Sequence, residues 1–163
     1  MYPFVPAISG QLNVSVQSIQ ALISAQASVG LLSPIFGTIS ERYGRRQTIV
    51  AALAIMVLAL FIGVVYLNFW VFAAVMITVG VMKIIYDPAV QAYLGDRIPY
   101  NRRGLALGTM ELSWAGALIV IGPLAGFLLA RHGLQSLFIW FVVMSLVAWV
   151  LVWRFLPADR GDR

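Results

Sequence analysis

Three ionisable residues, Lys83, Asp87 and Glu111, stand inside segments otherwise made of hydrocarbon side chains. A charge at the centre of a bilayer costs at least about 2.5–3.5 kcal/mol on insertion scales, so such groups face protein or water and mark functional positions. Lys83, Asp87 and Gln91 recur every four residues and share one helical face. Asp87 lies twelve residues before Pro99 and Glu111 twelve after it, so on consecutive antiparallel helices the two carboxyls reach similar depth. One ammonium neutralises one carboxylate well, which leaves the other free to bind a transported proton. The alternative is structural: a Lys83–Asp87 pair that neutralises itself for insertion, with Glu111 hydrogen-bonded to a neighbouring helix. A second stripe, Gln20, Ser24 and Ser28, also repeats every four residues. It either lines a water-filled cavity or packs helix on helix.

The elements that must position these groups are membrane helices. The chain of 163 residues is 61% hydrophobic and 10% charged, with mean hydropathy +0.92, against about 45–50% apolar and 25% charged in soluble domains. Expected spans are about 16–39, 48–66, 70–94, 105–130 and 134–155. Residues 1–10 are apolar but hold Pro3, Pro6 and Gly10 and are too short to cross. Ser15 is the expected N-cap of the first span, Pro34 its expected bend, and Asn68 the tight turn before the third.

The net charge of +5 would suggest nucleic acid in a soluble protein, but here the basic residues sit in loops and no nucleic-acid partner is expected. Of eleven Lys and Arg, Arg42, Arg45, Arg46, Arg97, Arg102, Arg103, Arg154, Arg160 and Arg163 fall on one side, Arg131 on the other, and Lys83 within the membrane. That asymmetry predicts a cytoplasmic C-terminus and an external N-terminus. No cysteine and a single histidine, His132 in an outer turn, leave no thiol chemistry and no metal site. Neither a phosphate-binding loop nor a hydrolase triad is present, so neither an enzyme nor a cofactor is expected.

Between the first two spans lies Gly37-Thr38-Ile39-Ser40-Glu41-Arg42-Tyr43-Gly44-Arg45-Arg46. It resembles the loop between helices 2 and 3 of the major facilitator superfamily of secondary transporters, G-x-x-x-D-R-x-G-R-R. Gly37, Arg42, Gly44, Arg45 and Arg46 match, and Glu41 stands where the family has Asp. Residues 95–104, with Asp96 near a helix end and Arg103-Gly104 at the next start, resemble the loop between helices 4 and 5. Gly122-Pro123-Leu124-Ala125-Gly126 is similar to the core of a helix-5 packing motif associated with antiporters, with Leu118 and Phe127 in place of its outer glycines.

The resemblance implies an all-α membrane protein: five full transmembrane helices plus the tail of a truncated first helix, forming the amino-terminal bundle of a twelve-helix transporter. It implies alternating-access transport of a small organic solute, proton-coupled and antiporter-like, in a plasma or inner membrane. A gating latch at the cytoplasmic ends would use Gly37, Glu41, Arg42, Gly44, Arg45, Arg46, Asp96 and Arg103, with Glu41, Arg45 and Asp96 at its centre. Implied partners are lipid, solute, protons, and a missing carboxy-terminal half or another copy. From a different class, a non-transporting membrane interaction protein or an inactive transporter fragment would show the same helices.

Overall fold

A computed structural model describes residues 4–32, 36 and 41–157. Helix α1 is Val5–Leu12 and ends at Asn13, whose φ of 53° is a left-handed conformation that asparagine tolerates. Helix α2, Val16–Val29, starts where Ser15 accepts a hydrogen bond from the Ser18 amide at 3.1 Å, as the sequence predicts. A 3-10 turn, Gly30–Leu32, follows. Helix α3 is Arg45–Val65 and α4 is Phe69–Arg97, the latter capped by Asn68 Oδ1 accepting from the Val71 amide at 2.9 Å. Helix α5, Tyr100–Phe155, carries a break at Gly133.

Among the described residues, three helices are long and apolar enough to cross a membrane: α3, α4 and α5. The count differs from the expected five in two places. Of the first expected span, the 14 residues of α2 and the turn Gly30–Leu32 are described, while 33–35, with Pro34, and 37–40 lie outside the described residues. The last two expected spans both lie within the 56 residues of α5, which divides at Gly133 where the sequence places the turn. Arg131-His132-Gly133 is too short to form a separate loop, so the chain changes direction at one residue. Gly133 has φ 79° and ψ −179°, a region open essentially to glycine alone. The helix restarts at once because the Gln11 side-chain oxygen accepts from the Leu134 amide and Ser136 Oγ donates to the Gly133 carbonyl at 2.8 Å.

Helix α3 lies between α4 and the second part of α5. At one end, Val5, Ile8, Ile19, Leu22, Phe72, Leu134 and Phe138 form the larger core. There Phe138 meets Phe72 edge to face, with centroids 6.1 Å apart, and lies flat enough on Gly63 that a Cβ would come within 2.6 Å of its ring. At the arginine-rich end a smaller core joins Ile49, Leu53, Ala89 and Tyr93, with Trp149 and Val152 packed against it. The first part of α5 is different: Leu105, Leu112, Leu118, Ile119 and Val120 are all exposed. Its Gly104, Gly108 and Gly122 have nothing within contact of a Cβ.

Replacing Gly133 with alanine forces a Cβ into this backbone and to 3.2 Å from Gln11 Oε1. The expected cost is about 1–3 kcal/mol, seen as a lower thermal unfolding midpoint in detergent; an unchanged midpoint would show that the break does not depend on glycine.

Candidate functional site

Lys83 and Asp87, one turn apart on α4, form an ion pair. The Lys83 side chain remains half exposed and that of Asp87 is 29% exposed. The ammonium also sits 4.2 Å from the centroid of the Trp114 ring on α5. A cation over an indole face is attracted by the ring quadrupole, so one nitrogen is held by a carboxylate on one helix and an aromatic face on the next. Glu111, one turn before Trp114, is exposed and makes no hydrogen bond or ion pair among the described residues. The expected cluster of one cation and two carboxylates is therefore two of its members plus a tryptophan, and Glu111 joins neither contact. Trp114 was not anticipated; its signal in the sequence is an indole on Glu111's own helix, one turn along.

The other expected members do not join this group among the described contacts. Gln91 is exposed, a further turn along the Lys83–Asp87 face. Gln20 and Ser24 are exposed because Ile19 and Leu22 occupy the buried side of α2. Ser28 Oγ donates to the Ser24 carbonyl at 3.0 Å, a local bond within α2. Helix α2 meets α4 through Gln26, whose side chain fills the space beside Gly80 one turn before Lys83. The glycine–proline segment of α5 splits: Gly126 receives the Phe4 ring, with a Cβ at 3.1 Å, Gly122 faces open space, and Pro123 is exposed.

At the arginine-rich end, Gly44 takes φ 91° as α3 begins, a value that favours glycine. That turn aims Arg45 and Arg46 at different neighbours. Arg45 forms an ion pair with Asp96 and donates to the Ala92 carbonyl, tying α3 to the end of α4. Arg46 donates through Nε to the Leu156 carbonyl and through Nη2 to that of Trp153, both at 2.7 Å. These are carbonyls of a last helical turn, which have no intrahelical donor and favour a nearby cation. Tyr93 Oη at 2.9 Å and Arg97 Nη2 at 3.3 Å both donate to the Pro157 carbonyl, and the Arg97 guanidinium lies 4.4 Å from the Tyr93 ring centroid.

Of the expected latch, then, Arg45 and Asp96 meet. Glu41 is exposed and without an ion pair among the described residues, Arg42 rests over the Tyr43 ring at 5.7 Å, and Arg103 donates to the Ile98 carbonyl at 3.1 Å. Gly37 lies outside the described residues. Tyr93, Arg97 and the carbonyls of 153–157 were not anticipated, since nothing in residue spacing says which carbonyls a helix end leaves open to an arginine. Between α3 and α4 near this end is an apolar cleft of about 320 Å³ lined by Tyr43, Thr48, Ala52, Ile55, Met82 and Ile85. None of Lys83, Asp87 and Glu111 lines it.

The family model described as Major Facilitator Superfamily matches residues 1–163. The chain is 30% identical to the curated "Multidrug resistance protein MdtG" of Yersinia enterocolitica over 98% of this chain and 41% of that protein. It is 31% identical to proteins of the same name from Salmonella paratyphi B and Salmonella newport, over 98% of this chain and 42% of each. The chain thus spans about two fifths of the length of these relatives.

Loss of the Asp96 carboxylate removes one ion pair whose acidic side chain is 59% exposed, a cost of at most about 1 kcal/mol. Arg45→Ala also removes the bond to Ala92 and is expected to cost about 0.5–1.5 kcal/mol more. Thermal unfolding in detergent should therefore order the proteins wild type, D96N, R45A; a reversed order would assign the contact to Asp96 alone.

Proposed function

Because the chain belongs to the major facilitator superfamily, we propose that it serves as the amino-terminal bundle of a secondary transporter that moves a small organic solute against a flow of protons. It is a multi-pass membrane protein of a transport family; the solute, the coupling ion and the direction are the proposal. The observation that carries it is the division of labour around Lys83. Asp87 and the Trp114 face satisfy the ammonium, while Glu111 remains an unpaired carboxyl in an apolar helix. A carboxyl with no ion-pair partner among the described residues is open to a transported proton. Loading and release at Glu111 would couple proton movement to exchange between inward- and outward-open states. The name of the relatives, multidrug resistance, favours export of organic compounds.

In this reading the arginine-rich end faces the cytoplasm of a cell whose inner membrane holds the protein, with the N-terminus outside. Arg45–Asp96 and the Arg46 contacts to residues 153 and 156 close that end in one of the two states. The exposed first part of α5 would pack against a carboxy-terminal half or a second copy, so that the midplane cavity lies between two bodies. The same exposed apolar face suits a membrane interaction protein that moves nothing.

Inverted membrane vesicles from cells expressing the protein separate these readings. With a proton gradient imposed and read by a pH-sensitive dye, adding a panel of organic solutes should release protons in a solute-dependent way, and Glu111→Gln should abolish the release while leaving the protein in the membrane. A response equal in wild type and E111Q would reject proton coupling through Glu111, and no response to any solute would favour the interaction protein.

A further inference from the structure

Lys83 is an odd tenant for the place it occupies. Its nitrogen is paired with Asp87 and lies 4.2 Å from the Trp114 centroid, and a carboxylate joined to an indole face is the chemistry that recognises an ammonium ligand. Both walls are partly open: Trp114 is 45% exposed and Asp87 29%. They belong to different helices, α4 and the outlying first part of α5, and Lys83 is the side chain that joins them. The lysine is itself half exposed, so its four-carbon stem is free to swing and empty the space.

We propose that Asp87 and Trp114 form a binding site for the ammonium group of a ligand and that Lys83 is its tethered occupant, a built-in competitor that a cationic ligand must displace. The assignment rests on the transporter reading for its purpose, but its chemistry stands on the contacts alone. A tethered group competes at a high effective concentration set by its short link. The wild-type site is thus closed to weakly binding ammonium compounds and opens to those with enough additional contact to evict the lysine. Lys83 then determines specificity, and Trp114 and Asp87 provide recognition.

Binding of choline to the full chain in maltoside micelles, followed by saturation-transfer NMR of its methyl protons, tests this directly. Lys83→Met removes the ammonium and keeps the stem, and should tighten choline binding by about tenfold or more. Adding D87N or W114L to K83M should reverse the gain, and the uncharged carbon isostere of choline, a neohexyl alcohol, should not gain. Lys83→Gln is a second probe of the same expectation should K83M elute as aggregate. Equal choline affinity in wild type and in the properly folded Lys83 variant, or an equal gain for the alcohol, would overturn the assignment. Equal affinity with solute-driven proton release intact would remove the tethered occupant and leave the transporter standing; the converse pair of results would do the opposite.

Discussion

A hydrocarbon solvent offers charged side chains nothing, and this chain answers by finding each intramembrane cation a partner within reach of its own bond lengths. Lys83 is held by Asp87 one turn away and by the Trp114 face across the helix gap. The ion pair is local to α4, so it is present whether or not α5 is docked. The cation–π contact is not local: it links α4 to the first part of α5, whose Ala125 and Leu129 also enter the larger core. This segment is otherwise exposed along much of its length, in contrast with α3, which is packed along both ends by the two cores.

The arginine-rich end obeys the same rule with different acceptors. Four carbonyls at the end of a helix lack donors, and here Arg46, Arg97 and Tyr93 supply donors to positions 153, 156 and 157. Arg45 meets a carboxylate, that of Asp96. The end of α5 is thereby fastened to the starts and ends of α3 and α4 by directional bonds. Movement of α5 relative to α3 must break several of these together, which is the property expected of an element with two stable positions.

Much of this was legible in the residues. Helical class, the membrane setting, the cap at Ser15, the turn at Asn68, and the Arg45–Asp96 contact follow from apolar run length, side-chain oxygens before helix starts, and opposite charges at one level. The family followed from the glycine–arginine loop. What spacing alone did not give has physical reasons. Similar depth for Asp87 and Glu111 says nothing about rotation about the helix axis, and Glu111 is turned aside while Trp114, 100° per residue further round, takes the contact. A glycine after Arg131-His132 signals a turn, but not that one residue would suffice to redirect a helix. Charge pairing predicted ion pairs for Glu41, Arg42 and Arg46; Glu41 and Arg42 are instead exposed, and Arg46 reaches carbonyls that a polar-residue pattern cannot show.

The central claim is that the intramembrane polar residues face a shared water-accessible space and the bare faces of α3 face lipid. The chain has no cysteine, so single cysteines can be read one at a time with a membrane-impermeant maleimide in intact vesicles. The account predicts rapid labelling at positions 20, 87 and 111 and protection at Leu58 and Ile62, which are exposed on α3. Labelling at position 111 as slow as at position 58 would place Glu111 among acyl chains and contradict it.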